Sequence, residues 1–587
     1  MERYFLEPDM LASKLDGYHP RVTQIEAAEL INDAFKSFTN IALEAPTGSG
    51  KTFSYLIPSF SQGKRVIIST KTKQLMFQLL KKDIPIVEQL FPPLQVEMLK
   101  GRKNYVCPHR IRKYIYSSTS YYSDVIDWYQ ASTEDVLEVP SYIDRKTADL
   151  MSASSYQCLR NKCEYLSVCP FELARNLANK ADIVITNHHL QLANMIVALD
   201  SERKDILYKA DHIIFDEAHA LVDIFPLFAG AEFRVQGVLN IFTAYKTAIP
   251  HKEYKEFETS AALLWKLVTE GKTAYGDIRG GVRDFMDRAS LMAERLNDED
   301  VSTELNNWID VFNALESDRE GLRYADIRQS DLFIRYIPKE FGEEFMAGLE
   351  KTAQSAVFIS ATLAAQGSFD YFLNSLSLKE KKIKTAILPR VFNMSKQALL
   401  FVPKRCYDNE KNSIMLELIK GVSGSVLVIC NSIARMDELI DFFRVKQHKK
   451  EVVSQNEGNW KVYTGKDNII LIGCAILREG LDLAGGDFRA VLIDKLPFEN
   501  FREPYFVYRS ELVEKATGNS FMNFSLPRAV IYFKQATGRL IRHESDKGIL
   551  AVLDTRIADK FYGKYFLDVL DNTRRTVSIK EAIEFCG

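Results

Sequence analysis

The sequence predicts an α/β protein with two separate, mostly parallel sheets. In two regions of the chain, short apolar segments rich in Val and Ile alternate with helical stretches, a pattern typical of buried parallel strands joined by crossover helices. The segments are 40–45, 65–70, 181–186, 212–219 and 355–362 in the first region, and 425–430, 468–476, 489–497 and 548–554 in the second. We therefore expect two α/β domains within the 587 residues.

Two stretches interrupt the strand pattern of the first region. One contains clustered cysteines and many tyrosines, and the other is charged and has helical patterning. Because the strand pattern resumes after each stretch, we interpret both as insertions into the first domain. The predicted boundaries are 1–95, 180–228 and 332–392 for the first domain, 96–179 and 229–331 for the insertions, and 393–587 for the second domain.

Composition and charge exclude several classes of protein. The chain is 46% hydrophobic and 26% charged, as globular proteins are, with a net charge of −2. No apolar segment reaches the roughly 18 residues of a membrane helix, and the N-terminus lacks a secretory pattern, so we expect a cytoplasmic protein. Because the chain is not basic overall, a nucleic-acid surface would have to be a local groove.

The segment EAPTGSGKT, residues 44–52, has the pattern of a phosphate-binding loop between a strand and a helix. Glycines allow successive backbone N–H groups to point at phosphate oxygens, and the helix N-terminus adds partial positive charge. Lys51 would reach the β- and γ-phosphates, and Thr52 would ligate Mg²⁺. The predicted nucleotide-binding residues of the segment are Ala45, Thr47, Gly48, Ser49, Gly50, Lys51 and Thr52.

Two further segments complete a hydrolytic site. DEAH, residues 216–219, ends an apolar strand, so its acids should lie at the carboxyl edge of a parallel sheet. Asp216 would hold Mg²⁺, and Glu217 would orient or deprotonate the attacking water. In QATGRLIR, which begins at Gln535, Arg539 and Arg542 would share one face of a helix and neutralise the γ-phosphate. Alone, this segment could be an ordinary basic amphipathic helix, but the first two motifs favour the catalytic interpretation.

Four cysteines have a spacing that indicates a metal centre. Cys107 is followed by the closely spaced Cys158, Cys163 and Cys169. In a cytoplasmic chain such a cluster favours a metal site over disulfides. Four thiolates suit zinc or an iron–sulfur cluster, although zinc sites usually have two short cysteine pairs and this spacing offers one. The remaining four cysteines are predicted to be buried thiols without a metal role: Cys406, Cys430, Cys474 and Cys586.

The order of these motifs resembles that of superfamily 2 helicases. EAPTGSGKT, DEAH, SATL (360–363), REGLDLAGG (478–486) and QATGRLIR are similar to motifs I, II, III, V and VI. KGRKNYVC (100–107), ADIVITNHHL (181–190) and DKLPF (494–498) resemble the DinG/YoaA branch of the XPD-like helicases. In this resemblance Gln24 is similar to the adenine-recognising residue, Glu479, Gly480 and Asp482 belong to the nucleotide-coupled motif V, and Arg478 departs from the usual aromatic.

The resemblance implies two RecA-like domains with ATP between them, and an iron–sulfur domain and a helical arch inserted in the first. It further implies ATP, Mg²⁺ and a [4Fe–4S] cluster ligated by the four clustered cysteines. The expected activity is ATP-dependent 5′→3′ translocation on single-stranded DNA, with unwinding of forked DNA, displacement loops or RNA–DNA hybrids in repair or replication. The expected protein is a monomer recruited by single-strand-binding or repair proteins.

A basic tract with interleaved tyrosines surrounds Cys107 and is a predicted path for single-stranded DNA. It comprises Lys100, Arg102, Lys103, Tyr105, His109, Arg110, Arg112, Lys113, Tyr114 and Tyr116. A solvated basic face with core tyrosines is the alternative interpretation. Asn187 and His188 are predicted to be structural or to line the DNA path.

Two other functions remain open from the sequence. The chain could be a nucleoprotein-remodelling ATPase that does not unwind DNA, or a CRISPR-associated DinG-like effector helicase that depends on recruitment. Strand-displacement assays would separate the first alternative from a helicase, and the neighbouring genes would separate the second.

Overall fold

The computed structural model contains two seven-stranded sheets and one three-stranded sheet among the described residues. The structure describes residues 1–15, 18–116, 122–201, 205–328, 331–378, 383–446, 449–456, 468–474, 488–499, 503–571 and 573–586. Within these ranges no helix has the length and apolar character needed to cross a membrane. The predicted motif V residues Glu479, Gly480 and Asp482 lie outside the described residues.

The strands are numbered along the chain. They are β1 (Asn40–Glu44), β2 (Val66–Thr70), β3 (Val96–Met98), β4 (Ile183–Asn187), β5 (Ala210–Asp216), β6 (Ala231–Arg234), β7 (Gly321–Arg328), β8 (Asp331–Pro338), β9 (Ala353–Ser360), β10 (Ile383–Ile387), β11 (Ala398–Phe401), β12 (Ser425–Ile429), β13 (Glu451–Ser454), β14 (Ile469–Gly473), β15 (Phe488–Ile493), β16 (Gly548–Val552) and β17 (Arg574–Thr576).

The first sheet is parallel, with the strand order β10-β1-β9-β5-β2-β4-β3. Its register aligns the carboxyl ends of β1, β9 and β5, since Glu44 pairs with Ser360 and Asp216 pairs with Ile359. The helices that accompany it are Arg3–Leu6, Val22–Lys36, Lys51–Gln62, Lys73–Gln78, Ile84–Val87, His188–Val197, Leu221–Ala229, Gly342–Thr352 and Asp370–Ser375. The parallel order brings three distant motifs to one sheet edge.

The second sheet is also parallel, with the order β13-β14-β12-β15-β16-β11-β17. Its helices are Met394–Gln397, Asp408–Gly421, Ile433–Arg444, Pro504–Thr517, Leu526–Thr537, Arg556–Asp559, Gly563–Asp568 and Ile579–Cys586. Apolar side chains cover both faces of the sheet, which is why its central strands are continuous apolar segments. The predicted α/β class with two mostly parallel sheets is confirmed.

The cysteine-containing insertion consists of short helices and loops. Its helices are Pro108–Arg110, Ser123–Ala131, Arg145–Met151 and Pro170–Lys180. The insertion has a small core in which Val106, Ile111, Ile115 and Met151 are nearly inaccessible to solvent. The insertion therefore has apolar packing of its own beside the cysteines.

The second insertion is helical, as predicted, but it also contains a sheet. The helices are Val235–Thr243, His251–Thr269, Tyr275–Leu296 and Glu299–Glu316. They share one core with the antiparallel sheet β6-β8-β7, which the sequence reading missed. In β8, Leu332, Ile334 and Tyr336 point into that core, and Arg335 on the opposite face pairs with Glu232 and Asp326.

Candidate active site

The phosphate-binding loop has the conformation that its glycines predict. Gly48 and Gly50 have φ angles of +78° and +79°, in the left-handed region that favours glycine. A Cβ on Gly48 would lie 2.2 Å from the ring of Phe392, and one on Gly50 would lie 2.1 Å from Nε2 of Gln24. The helix begins at Lys51 directly after the loop. Its N-terminal N–H groups therefore face the space in which phosphates would bind.

Gln24 lies behind this loop. Its Nε2 donates to the carbonyl of Gly50 at 3.1 Å, and its Oε1 accepts from the Tyr18 hydroxyl at 2.7 Å. The side chain is only 2% exposed. Ala45 and Ser49 are also buried within the loop. Gln24 thus supports the loop from behind, and its adenine-reading role stays a prediction.

The acidic motif lies at the carboxyl end of β5. Oδ2 of Asp216 accepts from the Tyr55 hydroxyl at 3.1 Å, and Oε2 of Glu217 accepts from the Ser360 hydroxyl at 3.1 Å. His219 Nδ1 lies 3.2 Å from the same Glu217 oxygen. Glu217 has a φ of +59°, so the backbone turns sharply just after the strand. The two carboxylates are therefore held separately, by hydroxyl groups from two other segments and by the imidazole of the same motif.

The two acids differ in their electrostatic environments. Burial, with the neighbouring charge of Glu217, raises the pKa of Asp216 to about 7, although Lys51 opposes this shift. Burial also acts to raise the pKa of Glu217, but the hydrogen bond with His219 and the charge of Lys51 outweigh it and hold that pKa below its usual range. Glu217 is therefore the acid that stays ionised at neutral pH.

The arginines reach the site from the second domain, but not on a helix. The helix Leu526–Thr537 ends before them, so the prediction that they share a helical face is wrong. Gly538, a poor helix former, follows the last helical residue and the chain turns there. Both arginines still line the cavity that contains Lys51. Gln535 reaches across as well, with Nε2 donating to the Thr362 hydroxyl at 3.3 Å.

One cavity of about 740 Å³ unites these groups. Its lining includes Thr47, Gly48, Gly50, Lys51, Thr52, Asp216, Glu217, Thr362, Gln535, Arg539 and Arg542. The first eight come from the first domain and the last three from the second. Such a site can bind a polyphosphate through the first domain and supply cationic groups from the second domain. Tyr55, Ser360 and Thr362 support it. Ser360 and Thr362 belong to the predicted SATL motif, whereas Tyr55 was not predicted, because its contact with Asp216 depends on the tertiary structure.

The four clustered cysteines surround a second, smaller cavity, together with Tyr105, Pro108, Tyr165, Leu166 and Phe171. Burial raises the pKa of Cys107 to about 11 and raises the pKa of Cys163 and Cys169 above their usual value. No three metal-binding side chains among the described residues are spaced for one metal ion. Four thiols around one cavity are a donor set that suits either zinc or an iron–sulfur cluster.

The other four cysteines lie outside this cavity. Cys430 is buried, as predicted, but Cys406, Cys474 and Cys586 are partly exposed, so the prediction of burial is wrong for these three. They follow or end strands and helices at the margin of the second-domain core, where the apolar segments give way to solvent.

Comparisons with known proteins support the same picture. Family models described as DEAD/DEAH box helicase, DEAD_2 and helicase C-terminal domain match residues 23–105, 96–237 and 415–573. The ATP-dependent DNA helicase YoaA of Haemophilus influenzae is 30% identical over 98% of this chain and 97% of its own length. The chain belongs to the YoaA/DinG family of ATP-dependent DNA helicases.

More distant relatives of the family agree. YoaA of Escherichia coli is 28% identical over 99% of this chain and 98% of its own length. A protein named 3′-5′ exonuclease DinG, from Bacillus subtilis, is 25% identical over 96% of this chain and 71% of its own length. A solved structure titled XPD helicase has a TM-score of 0.60 over 95% of this chain and 99% of the other, at 18% identity. The last likeness confirms the XPD-like fold.

A third cavity of this YoaA/DinG family member, of about 1210 Å³, lies between the two insertions and the first domain. Residues of the basic tract that line it are Arg102, Lys103, Arg110 and Tyr114, together with Asn187 and His189 from the first domain and Arg175 and Arg234. Other members of the tract have structural partners. Lys100 is buried against Glu138, and Lys113 lies 3.5 Å from Asp300. Part of the tract therefore holds the insertions together.

The Asn187–His188 pair has the structural role that the sequence allowed. Oδ1 of Asn187 caps the helix His188–Val197 by accepting from the N–H of Leu190 at 2.9 Å. His188 is fully buried, and its Nδ1 lies 2.8 Å from the Ser69 hydroxyl. Burial lowers the pKa of His188 to about 3, so it is neutral at physiological pH.

Proposed function

We propose that this helicase is an ATP-driven motor that translocates 5′→3′ on single-stranded DNA and separates forked, displacement-loop or RNA–DNA hybrid structures. The observation that carries this proposal is the single cavity lined by the phosphate loop and acids of one sheet domain and by the arginines of the other. We propose the domain division predicted from the sequence, with a cysteine-centred insertion and an arch in the first domain, except that the arch extends to Pro338 because β8 pairs with β6 and β7.

In the proposed mechanism the first domain binds the nucleotide. Backbone N–H groups of the loop and Lys51 hold the phosphates. Thr52 and Asp216 line the same cavity and would hold Mg²⁺, which neutralises phosphate charge when bound. Glu217, kept ionised by His219 and Lys51, accepts a hydrogen bond from the attacking water and orients it toward the γ-phosphate.

The second domain completes the site when the cleft closes. Arg539 and Arg542 then stabilise the charge that develops on the γ-phosphate. The hydrogen bond from Gln535 to Thr362 of the first domain forms in this closed state. Glu479, Gly480 and Asp482 are proposed to contribute to nucleotide binding. A difference in DNA affinity between closed and open states converts each hydrolysis into a step along the strand.

Strand displacement tests the function directly. We expect unwinding of forked duplexes with a 5′ single-stranded tail, and of displacement loops and hybrids, whereas duplexes with only a 3′ tail should stay intact. DNA-stimulated hydrolysis without displacement on any substrate would favour the remodelling ATPase instead. Unwinding that requires a 3′ tail would contradict the proposed polarity.

We also propose that the second cavity holds a [4Fe–4S] cluster ligated by Cys107, Cys158, Cys163 and Cys169. Its support is the convergence of four thiols on one cavity. Such a cluster would favour the thiolate forms that burial alone disfavours. It would also fix Cys169, which directly precedes the helix Pro170–Lys180, against the distant Cys107.

Purified protein should then be brown, contain iron and sulfide in equal amounts, and lose its visible absorption on oxidation. Cys163→Ser should lose the cluster and strand separation, while basal ATP hydrolysis falls much less because the nucleotide cavity is elsewhere. Cys406→Ser, which removes a partly exposed thiol of the second domain, is the matched control and should keep its colour. Colourless protein with stoichiometric zinc would refute the cluster.

The large cavity between the insertions is the proposed path of single-stranded DNA. Lys103 lines it, and its half-exposed ammonium lies 3.8 Å from Asp149. Lys103→Ala should weaken single-strand binding for every sequence and reduce the salt slope of log K by about 1. Lys266→Ala is the matched control, because this exposed lysine lies on the arch helix His251–Thr269 and pairs with Glu270. Equal effects of both changes would contradict the path.

A further inference from the structure

A partly buried ion pair connects the strand before the phosphate loop with the arginine-bearing segment of the second domain. Glu44 is the last residue of β1 and is 4% exposed. Its Oε1 pairs with Nζ of Lys534, on the helix Leu526–Thr537. The two residues are 490 positions apart in the chain, and both line the nucleotide cavity. The pair therefore bridges the cleft at its base.

The second oxygen of Glu44 binds a third segment. Its Oε2 accepts from the backbone N–H groups of Leu363 and Ala364 at 2.9 and 2.7 Å. These residues directly follow Thr362, the partner of Gln535. One carboxylate thus joins the strand that leads into the phosphate loop, the segment after β9, and the helix that precedes the arginines.

We propose that Lys534 is a positioning residue for ATP hydrolysis, whose ion pair with Glu44 forms as the cleft closes and sets Arg539 and Arg542 against the nucleotide. The inference rests on the assignment of this cleft as the ATP site. Separation of the domains would leave the buried carboxylate without its cation, which is unfavourable. The pair therefore favours the closed state.

The contacts of Lys534 support positioning over direct phosphate binding. Its Nζ also lies 3.5 Å from the carbonyl of Ala364, so both of its recorded oxygen partners belong to the first domain. Arg539 lies five positions further along the chain, beyond the helix end at Thr537. Fixing Lys534 therefore fixes the start of the turn from which both arginines extend.

A double-mutant cycle in the full-length protein tests the proposal. Glu44→Gln and Lys534→Met should each lower DNA-stimulated kcat, roughly tenfold, while ADP affinity stays unchanged. The double variant should be no slower than either single variant, because both remove the same interaction. Dyes on the two domains should report a smaller closed fraction with a non-hydrolysable ATP analogue, and Lys534→Arg should retain most closure.

Asp223→Asn is the matched control. Asp223 of the first domain pairs at 2.6 Å with Arg528, which lies on the same helix as Lys534, so the substitution breaks a different cross-domain ion pair of that helix. Its effect should add to that of Lys534→Met. If Lys534→Met weakened nucleotide binding whereas Glu44→Gln did not, and if the effects of the two substitutions on kcat were additive, Lys534 would be a phosphate contact and the proposal would be overturned. If the single variants do not fold, the charge swap Glu44→Lys with Lys534→Glu should restore closure, and a folded swap that does not close would overturn it too. Failure of the ATP-site assignment is recognised separately, by turnover that persists in Lys51→Ala.

Discussion

Lys51→Ala should abolish ATP hydrolysis while the protein stays folded. Lys51 is the first residue of the helix Lys51–Gln62, lines the nucleotide cavity and is half-buried, so its ammonium is not part of the core. Loss of one charged contact to the transferring phosphate should slow turnover roughly 10²- to 10³-fold or more. Alanine is the best helix former, so the helix itself should not suffer.

Steady-state hydrolysis with saturating single-stranded DNA measures the effect, and circular dichroism measures the fold. Lys64→Ala is the matched control, since Lys64 follows the other end of the same helix and lies 4.3 Å from the centre of the Phe38 ring. It should lose at most about 1 kcal/mol of stability and no turnover. A Lys51→Ala protein that keeps most of its DNA-stimulated turnover would contradict the site.

Arg539→Ala, or Arg542→Ala, should leave ATP binding nearly normal and slow hydrolysis roughly 10³-fold, as expected for an arginine that acts mainly in the transition state. Both side chains line the cavity from the second domain, while the loop and acids that bind the phosphates belong to the first. Ground-state binding and catalysis should therefore separate. Equilibrium titration with a fluorescent ATP analogue and single-turnover hydrolysis measure the two quantities.

Arg574→Ala supplies the comparison for this prediction. Arg574 is an exposed arginine of β17 in the same domain, paired with Glu581 at 3.5 Å. It should change neither nucleotide affinity nor hydrolysis. If Arg539→Ala or Arg542→Ala weakened binding and turnover by equal factors, that arginine would be a ground-state anchor and not a catalytic group.

The sequence by itself determined the fold class and the chemistry of the ATP site. A phosphate loop needs glycines, a lysine and a hydroxyl at fixed short spacing, so it can be recognised from a segment of nine residues such as 44–52. Buried parallel strands are continuous apolar segments, so most central strands of both sheets were predictable as well. Sequence spacing also identified the four cysteines that the structure gathers around one cavity.

Only the tertiary structure decided which distant side chains meet. The sheet β6-β8-β7 escaped prediction because β6 and β8 lie on either side of the arch helices in the sequence and pair only in the folded protein. The basic tract looked like one DNA surface, yet several of its cations have acidic partners far along the chain. The pair of Glu44 and Lys534 joins residues 490 positions apart. Contacts of this kind depend on how the chain folds back on itself, and no local spacing encodes them.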